Sequence, residues 1–175
     1  HVVNMDRPAQ FDARTFLRTV ADFTRDAEAV IAKRWLAADL KLPHDAVHDV
    51  SNVLKRGDGW LGLSPVGLVE QVTRFARPLG DRDVRGTSPF VVASLTTALV
   101  TFAQLAATPQ DALIAAVNLG GDTSGIGGMV GALAGGLHGM RAFRDTWARG
   151  LRNGAAIRRR AESLAVGEGL PAGAP

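Results

Sequence analysis

Residues 120–125 read Gly-Gly-Asp-Thr-Ser-Gly, placing one carboxylate, two hydroxyls and three glycines within six positions. Such a run at the start of a helix has two chemical uses. Unpaired amides of a helix N-terminus attract an anion, whereas carboxylate and hydroxyl oxygens hold a hard cation. Asp122 is equally readable as an N-cap, its carboxylate accepting from the first helical N–H groups, and from the residues alone both readings stand. The run continues as Ile-Gly-Gly-Met-Val-Gly-Ala-Leu-Ala-Gly-Gly-Leu-His-Gly to Gly139. Gly127, Gly131, Gly135 and Gly139 recur every four residues and would form a nearly bare helical stripe. Each interior glycine costs about 0.8 to 1 kcal/mol relative to alanine, so the six from Gly127 onward cost about 5 kcal/mol. A close-packed helix backbone or a ligand would account for that cost, and packing is the expected explanation for Gly131 to Gly139.

Other groups carry weaker signals. His44 and His48 have the four-residue spacing of a metal pair on a helix, but Asp45 and Asp49 beside them favour a solvated face. His138 is expected near a helix end. Ser88, before Pro89, is a candidate N-cap and a candidate ligand contact. The glycine spacing of 125–131 mimics a dinucleotide loop, but a helical pattern precedes it instead of a strand, and no lysine follows to make a phosphate loop.

The elements positioning these groups are all expected to be helical. Apolar residues recur at three- and four-residue steps over 10–38, as in one amphipathic helix or two end to end, and again over 44–56. Ser64-Pro65, Ser88-Pro89 and Thr108-Pro109 are helix-start pairs. The stretch 90–105 is apolar on most sides, as a central buried helix would be. A single Arg-rich helix is expected over about 140–164, and the Gly/Pro/Ala-rich stretch 166–175 is expected to be a flexible tail. No strand-period run of useful length appears, and connections are short.

Composition sets the outer limits. The 175 residues, 46% hydrophobic, suffice for a single core. Twenty basic against seventeen acidic residues leave a net charge of only +3. The arginines at 149, 152 and 158–160 have only Trp147 nearby as a stacking aromatic, so nucleic-acid binding is not expected. No cysteine is present, which excludes thiolate metal sites and cysteine nucleophiles. No apolar run reaches the length of a membrane span, and the expected location is cytoplasmic.

The segment AAVNLGGDTSGIGGMVGALAGGLHG resembles the C-terminal signature of the ADP-ribosylglycohydrolase family, close to A-V-N-x-G-G-D-T-D-T-x-G-A-x-x-G-A-x-x-G. GTSPFVVASLTTALVTF is similar to the preceding family helix, and MRAFRDTWARGLRNGAAIRRRAESLA to the following one, with Trp147 at a usual tryptophan. The similarity is strong over 86–165 and weak before it. It implies an all-α, orthogonal multi-helix bundle, residues 1–165 forming the C-terminal half of a fold roughly twice as long. It further implies a cleft holding two magnesium ions, and hydrolysis at the anomeric carbon of ADP-ribosyl or related NAD-derived substrates.

Carried onto this chain, Asp122 matches the first metal aspartate and is the catalytic candidate. Thr123, Gly120 and Gly121 become substrate contacts together with Ser88. His1 stands about as far ahead of Asp122 as a ligand-contacting family histidine stands ahead of the metal motif. The second metal aspartate is replaced by Ser124, a neutral oxygen donor, which weakens the expectation of a second magnesium ion. The family's early acidic motifs have no counterpart here, so a second chain carrying the N-terminal half is the expected partner. A non-catalytic subunit that binds ADP-ribose or an NAD-like ligand is the alternative.

Overall fold

The computed structural model describes residues 10–38 and 46–165, and among them there are eight α-helices and no strand. The chain divides after Met140 into two compact units, 1–140 and 141–175.

In the first unit α1 (Ala13–Ala37) is one continuous helix. Asp12 caps it by accepting from the Thr15 N–H at 2.7 Å. Hydrogen bonding from Thr15 holds the Asp12 carboxyl below its ordinary value, so this cap is complete above the carboxylate range and is lost as pH falls through it. Phe16, Leu17, Ala21 and Ala32 are buried, but Phe23, Val30 and Ile31, also part of the apolar rhythm, stay exposed. The next helix is shorter than its apolar pattern: a 3-10 turn at Ala46–His48 leads into α2 (Asp49–Leu54). Gly57, Asp58 and Gly59 then form a 3-10 turn through Trp60, where a β-carbon on Gly57 would lie 3.2 Å from Val100 Cγ2. α3 (Pro65–Ala76) starts at Ser64, whose hydroxyl accepts from Gly67 N–H.

The centre is α4 (Val91–Gln104), which packs against α1, α2, α3, α5 and α6. It buries eleven of its fourteen residues, which confirms the expectation from its nearly all-round apolar character. Phe102 closes a cluster with Phe11 and Phe16, ring centroids 5.3 to 5.4 Å apart. Gln104 donates to the carbonyls of Trp60 and Leu63, so one half-buried amide ties α4 to the adjoining turn. α5 (Pro109–Asn118) and α6 (Thr123–His138) are joined by four residues and pack along one another.

Two helix starts differ from the sequence reading. The N-cap of α4 is Phe90 instead of Ser88, and Thr108 precedes α5 without a side-chain capping bond. The long helix expected over 140–164 is also interrupted. It consists of a 3-10 turn at Met140–Ala142, then α7 (Asp145–Gly150) and α8 (Gly154–Ala165) in the second unit. Leu151 is extended and Asn153 has φ 60°, a left-handed conformation that asparagine tolerates, so the Gly-Leu-Arg-Asn-Gly stretch turns the chain while the apolar rhythm runs on across it. The tail expected at 166–175 and His44 lie outside the described residues.

α1 and α2 are joined by Glu28. Its Oε1 accepts from the N–H groups of Val50 and Ser51 at 3.0 and 3.3 Å, and its Oε2 lies 3.4 Å from His48 Nδ1. His48 is therefore tied to α1 and does not stand on the fully solvated face its aspartate neighbours suggested. Glu28→Ala should cost about 1 to 2 kcal/mol by leaving two N-terminal amides unpaired. Glu28→Gln, which keeps an acceptor, should cost less, and urea unfolding of the two variants would measure the difference.

Candidate functional site

The site is assembled around a turn that precedes α4. Gly86 is pressed against α3: a β-carbon there would lie 2.6 Å from the Val69 carbonyl oxygen. Its N–H donates to Thr73 Oγ1 at 2.7 Å, and its carbonyl accepts from the buried Thr97 hydroxyl of α4 at 2.6 Å. Thr73 in turn donates to the Val69 carbonyl one turn back along α3. The next residue, Thr87, faces the other way and accepts from Asp122 N–H at 2.7 Å. Two consecutive residues, Gly86 and Thr87, thus hold the α3 surface and the 120–122 loop together. The N–H of Arg85 is satisfied by Ser88 Oγ at 2.7 Å, and Ser88 N–H returns to the Arg85 carbonyl. This is why Ser88 caps no helix: its hydroxyl closes the turn.

Gly120 and Gly121 have φ of +77° and +65°. At Gly121 the need for glycine is twofold, because an added β-carbon would also overlap the Thr87 carbonyl oxygen. At Gly120 nothing lies within 4 Å, so only backbone conformation is at stake.

Asp122 is the N-cap of α6. Its Oδ1 accepts from Gly125 N–H at 3.0 Å and, more loosely, from the Ser124 hydroxyl at 3.4 Å. Among the described residues no hydrogen bond engages Oδ2. The capping reading of Asp122 is thus correct as far as it goes, and it leaves one carboxylate oxygen at a helix N-terminus for another partner. Gly121 and Ser124 are exposed, while Asp122 and Thr123 are half-buried. No group of three or more His, Asp or Glu side chains arranged for a metal occurs among the described residues. What the loop offers is one carboxylate with the hydroxyls of Thr123 and Ser124, an all-oxygen set suited to a hard cation that keeps much of its water.

The glycine stripe divides. A β-carbon on Gly127 would lie 3.0 Å from Val117 Cγ1 and one on Gly131 3.6 Å from Leu113 Cδ1, both on α5. An added β-carbon on Gly128 or Gly135 would meet nothing within 4 Å, so packing among the described residues does not account for Gly135, where packing was the expectation. Gly139 has φ +72° and ends α6, its N–H donating to the Gly135 carbonyl. It is a terminator and not a member of the stripe. His138 lies at the last position of α6, as expected, and its Nε2 meets the Ala106 carbonyl.

Sequence reasoning brought Gly120, Gly121, Asp122, Thr123 and Ser124 together correctly because they are adjacent, and placed Ser88 one residue from the turn that holds them. It missed Thr73, Gly86, Thr87 and Thr97. Their only sequence signal was Gly-Thr-Ser before a helix-start proline. His1 lies outside the described residues.

Fold and loop together define an all-α protein whose candidate site is an aspartate-led helix start held against a threonine turn. A family model described as ADP-ribosylglycohydrolase matches residues 10–172, and the chain belongs to that family of hydrolases. The match includes the stretch before residue 86, where the resemblance was weak. No curated protein and no solved structure matches the chain.

The two positive-φ glycines should respond differently to substitution. Gly120→Ala should cost about 1 to 2 kcal/mol from backbone strain alone. Gly121→Ala should cost more, since the Thr87–Asp122 hydrogen bond must also open, and equilibrium unfolding of both variants would test the order.

Proposed function

We propose that this chain contributes the Asp122 side of a cleft that hydrolyses the bond at the anomeric carbon of an ADP-ribosyl or related NAD-derived substrate. The observation supporting it is the division of labour in Asp122: Oδ1 is fixed by Gly125 N–H, which orients the carboxylate, while Oδ2 is left for a ligand. In this reading Asp122 and the Ser124 hydroxyl hold magnesium, one ion or two. When bound, the metal supplies positive charge that orients ribose hydroxyls and polarises water.

The chain's own groups do the rest. Gly120 and Gly121 allow a sugar to approach the backbone, Thr123 contacts its hydroxyls, and Ser88, already accepting from Arg85 N–H, keeps its proton to donate to a ligand oxygen. His1 is assigned to substrate on the family resemblance. In the reaction a water oxygen bonds to the anomeric carbon as the bond to the acceptor breaks, and the acceptor departs with a proton. Developing positive charge on the ribose is stabilised by a nearby carboxylate. The general base and the remaining acidic ligands would come from a second chain carrying the N-terminal half.

Ser124 favours a second reading, a subunit that binds ADP-ribose or an NAD-like ligand without turnover. Replacing a carboxylate by a hydroxyl removes a charge that a second cation would need. Calorimetry with ADP-ribose, with and without magnesium and beside a hydrolysis assay, separates the two. Metal-dependent binding with turnover supports the hydrolase, binding without turnover supports the second reading, and no binding by the assembled protein overturns both. Asp122→Asn should keep the fold, because asparagine also caps helices, but should weaken magnesium binding by at least about tenfold. If Asp122 is only a cap, metal binding will not change. The partner assignment has its own check: size-exclusion with intact-mass analysis of native material should find a second chain, and an active monomer of this chain alone would overturn it.

A further inference from the structure

A groove of about 580 Å³ opens between α3 and the turn at Arg85. Arg74, Arg77 and Arg85 line it, with Val69 and Pro78 as apolar wall. Glu70 is its single acidic lining residue, and Asp81 and Asp83 of the intervening loop do not line it. Arg77 is held in place by its Nε–H, which donates to the Val84 carbonyl at 3.3 Å, leaving both terminal amino groups of the guanidinium for another acceptor. Among the described residues, no carboxylate forms an ion pair with Arg74, Arg77 or Arg85, not even Glu70 one helical turn from Arg74. The arrangement contrasts with a groove beside α1 and α2, where Arg18 pairs with Asp58 and Lys55 with Asp22.

Three guanidinium groups around one concavity repel one another, and a bound anion would relieve that repulsion. Planar guanidinium forks match the oxygens of a phosphoryl group in particular. We propose that this groove is a binding site for a phosphoryl anion, held by Arg74, Arg77 and Arg85. The site stands apart from the Asp122 loop and does not depend on the reading of that loop. The two are nonetheless neighbours: Gly86 rests on Val69 of the groove wall, and the next residue accepts from Asp122 N–H.

The test is calorimetric titration of the native chain with inorganic pyrophosphate in metal-free, low-salt buffer. Saturable one-site binding is expected. Arg74→Ala and Arg85→Ala, both at exposed positions, should each weaken it about tenfold, the loss of a charge-assisted hydrogen bond. Arg74→Lys should recover only part of the loss, because it restores charge without the fork. Glu70→Gln should tighten binding, and Asp122→Ala should leave it unchanged. Arg149→Ala is the control for overall charge, and thermal unfolding of each variant reports folding. Absence of saturation, or equal weakening by Arg149→Ala and Arg85→Ala, would overturn the proposal. Competition then identifies the source of the phosphoryl group. Displacement of pyrophosphate by ADP-ribose assigns the groove to the substrate's own diphosphate, whereas simultaneous binding assigns it to a separate phosphorylated ligand; each supports the site.

Discussion

The hydrogen bond from Asp122 N–H to the Thr87 carbonyl is the constraint on which the site depends. It joins the start of α6 to the turn before α4, two segments 35 residues apart, and it forms only because Gly121 has no side chain to stand between them. A left-handed backbone at both Gly120 and Gly121 turns the chain sharply enough to direct the Asp122 amide at Thr87. The cost is a pair of residues in a conformation that other amino acids resist. The gain is a carboxylate whose position is set by tertiary structure as well as by its own helix.

That constraint would be weak if the turn itself could move. Gly86 is fixed from three directions, by Val69 backbone contact, by Thr73 Oγ1 and by the Thr97 hydroxyl. Thr97 belongs to the buried centre of α4, so the core helix is linked to the surface loop through Gly86, the adjoining Thr87 and the bonds they accept. Buried threonines in α4 would be poor choices for a purely apolar core. Thr97 is there because its hydroxyl satisfies a carbonyl that would otherwise be buried unpaired. The residue thus serves packing with its methyl group and positioning with its oxygen.

These relations explain what the sequence could and could not disclose. The burial of α4 was legible because its apolar residues cover most of the helix surface, and the start of α3 was legible because Ser64 caps it through a purely local bond. Ser88-Pro89 has the same local signature, yet Ser88 bonds backward to Arg85, a choice imposed by the Gly86 turn and not by its neighbours. The break at 150–154 was hidden because the apolar rhythm continues through it, although Gly150, Asn153 and Gly154 are suitable turn residues. At the site, the contiguous Gly-Gly-Asp-Thr-Ser run was legible. Its anchors on α3, α4 and the turn were not, since their partners lie 11 to 13 residues apart in sequence or further.

Ser124 acquires a physical meaning once the loop is seen. Its hydroxyl lies 3.4 Å from Asp122 Oδ1, oriented to donate. A second carboxylate at that position would set two negative charges side by side, a repulsion that requires a cation to offset it. With serine the same contact is weakly attractive, so Gly125 N–H and Ser124 add to the Thr87 anchor in holding the loop's shape. On the proposed reading, serine at this position has two effects together: it lowers the negative charge available to a metal, and it removes a charge repulsion that would make the loop depend on one. On the same reading, the loop would present a surface for sugar and phosphate that relies less on a metal to organise it. α6 also has an open face that permits close approach, because Gly128 and Gly135 leave its backbone bare and, among the described residues, nothing packs there to offset their cost.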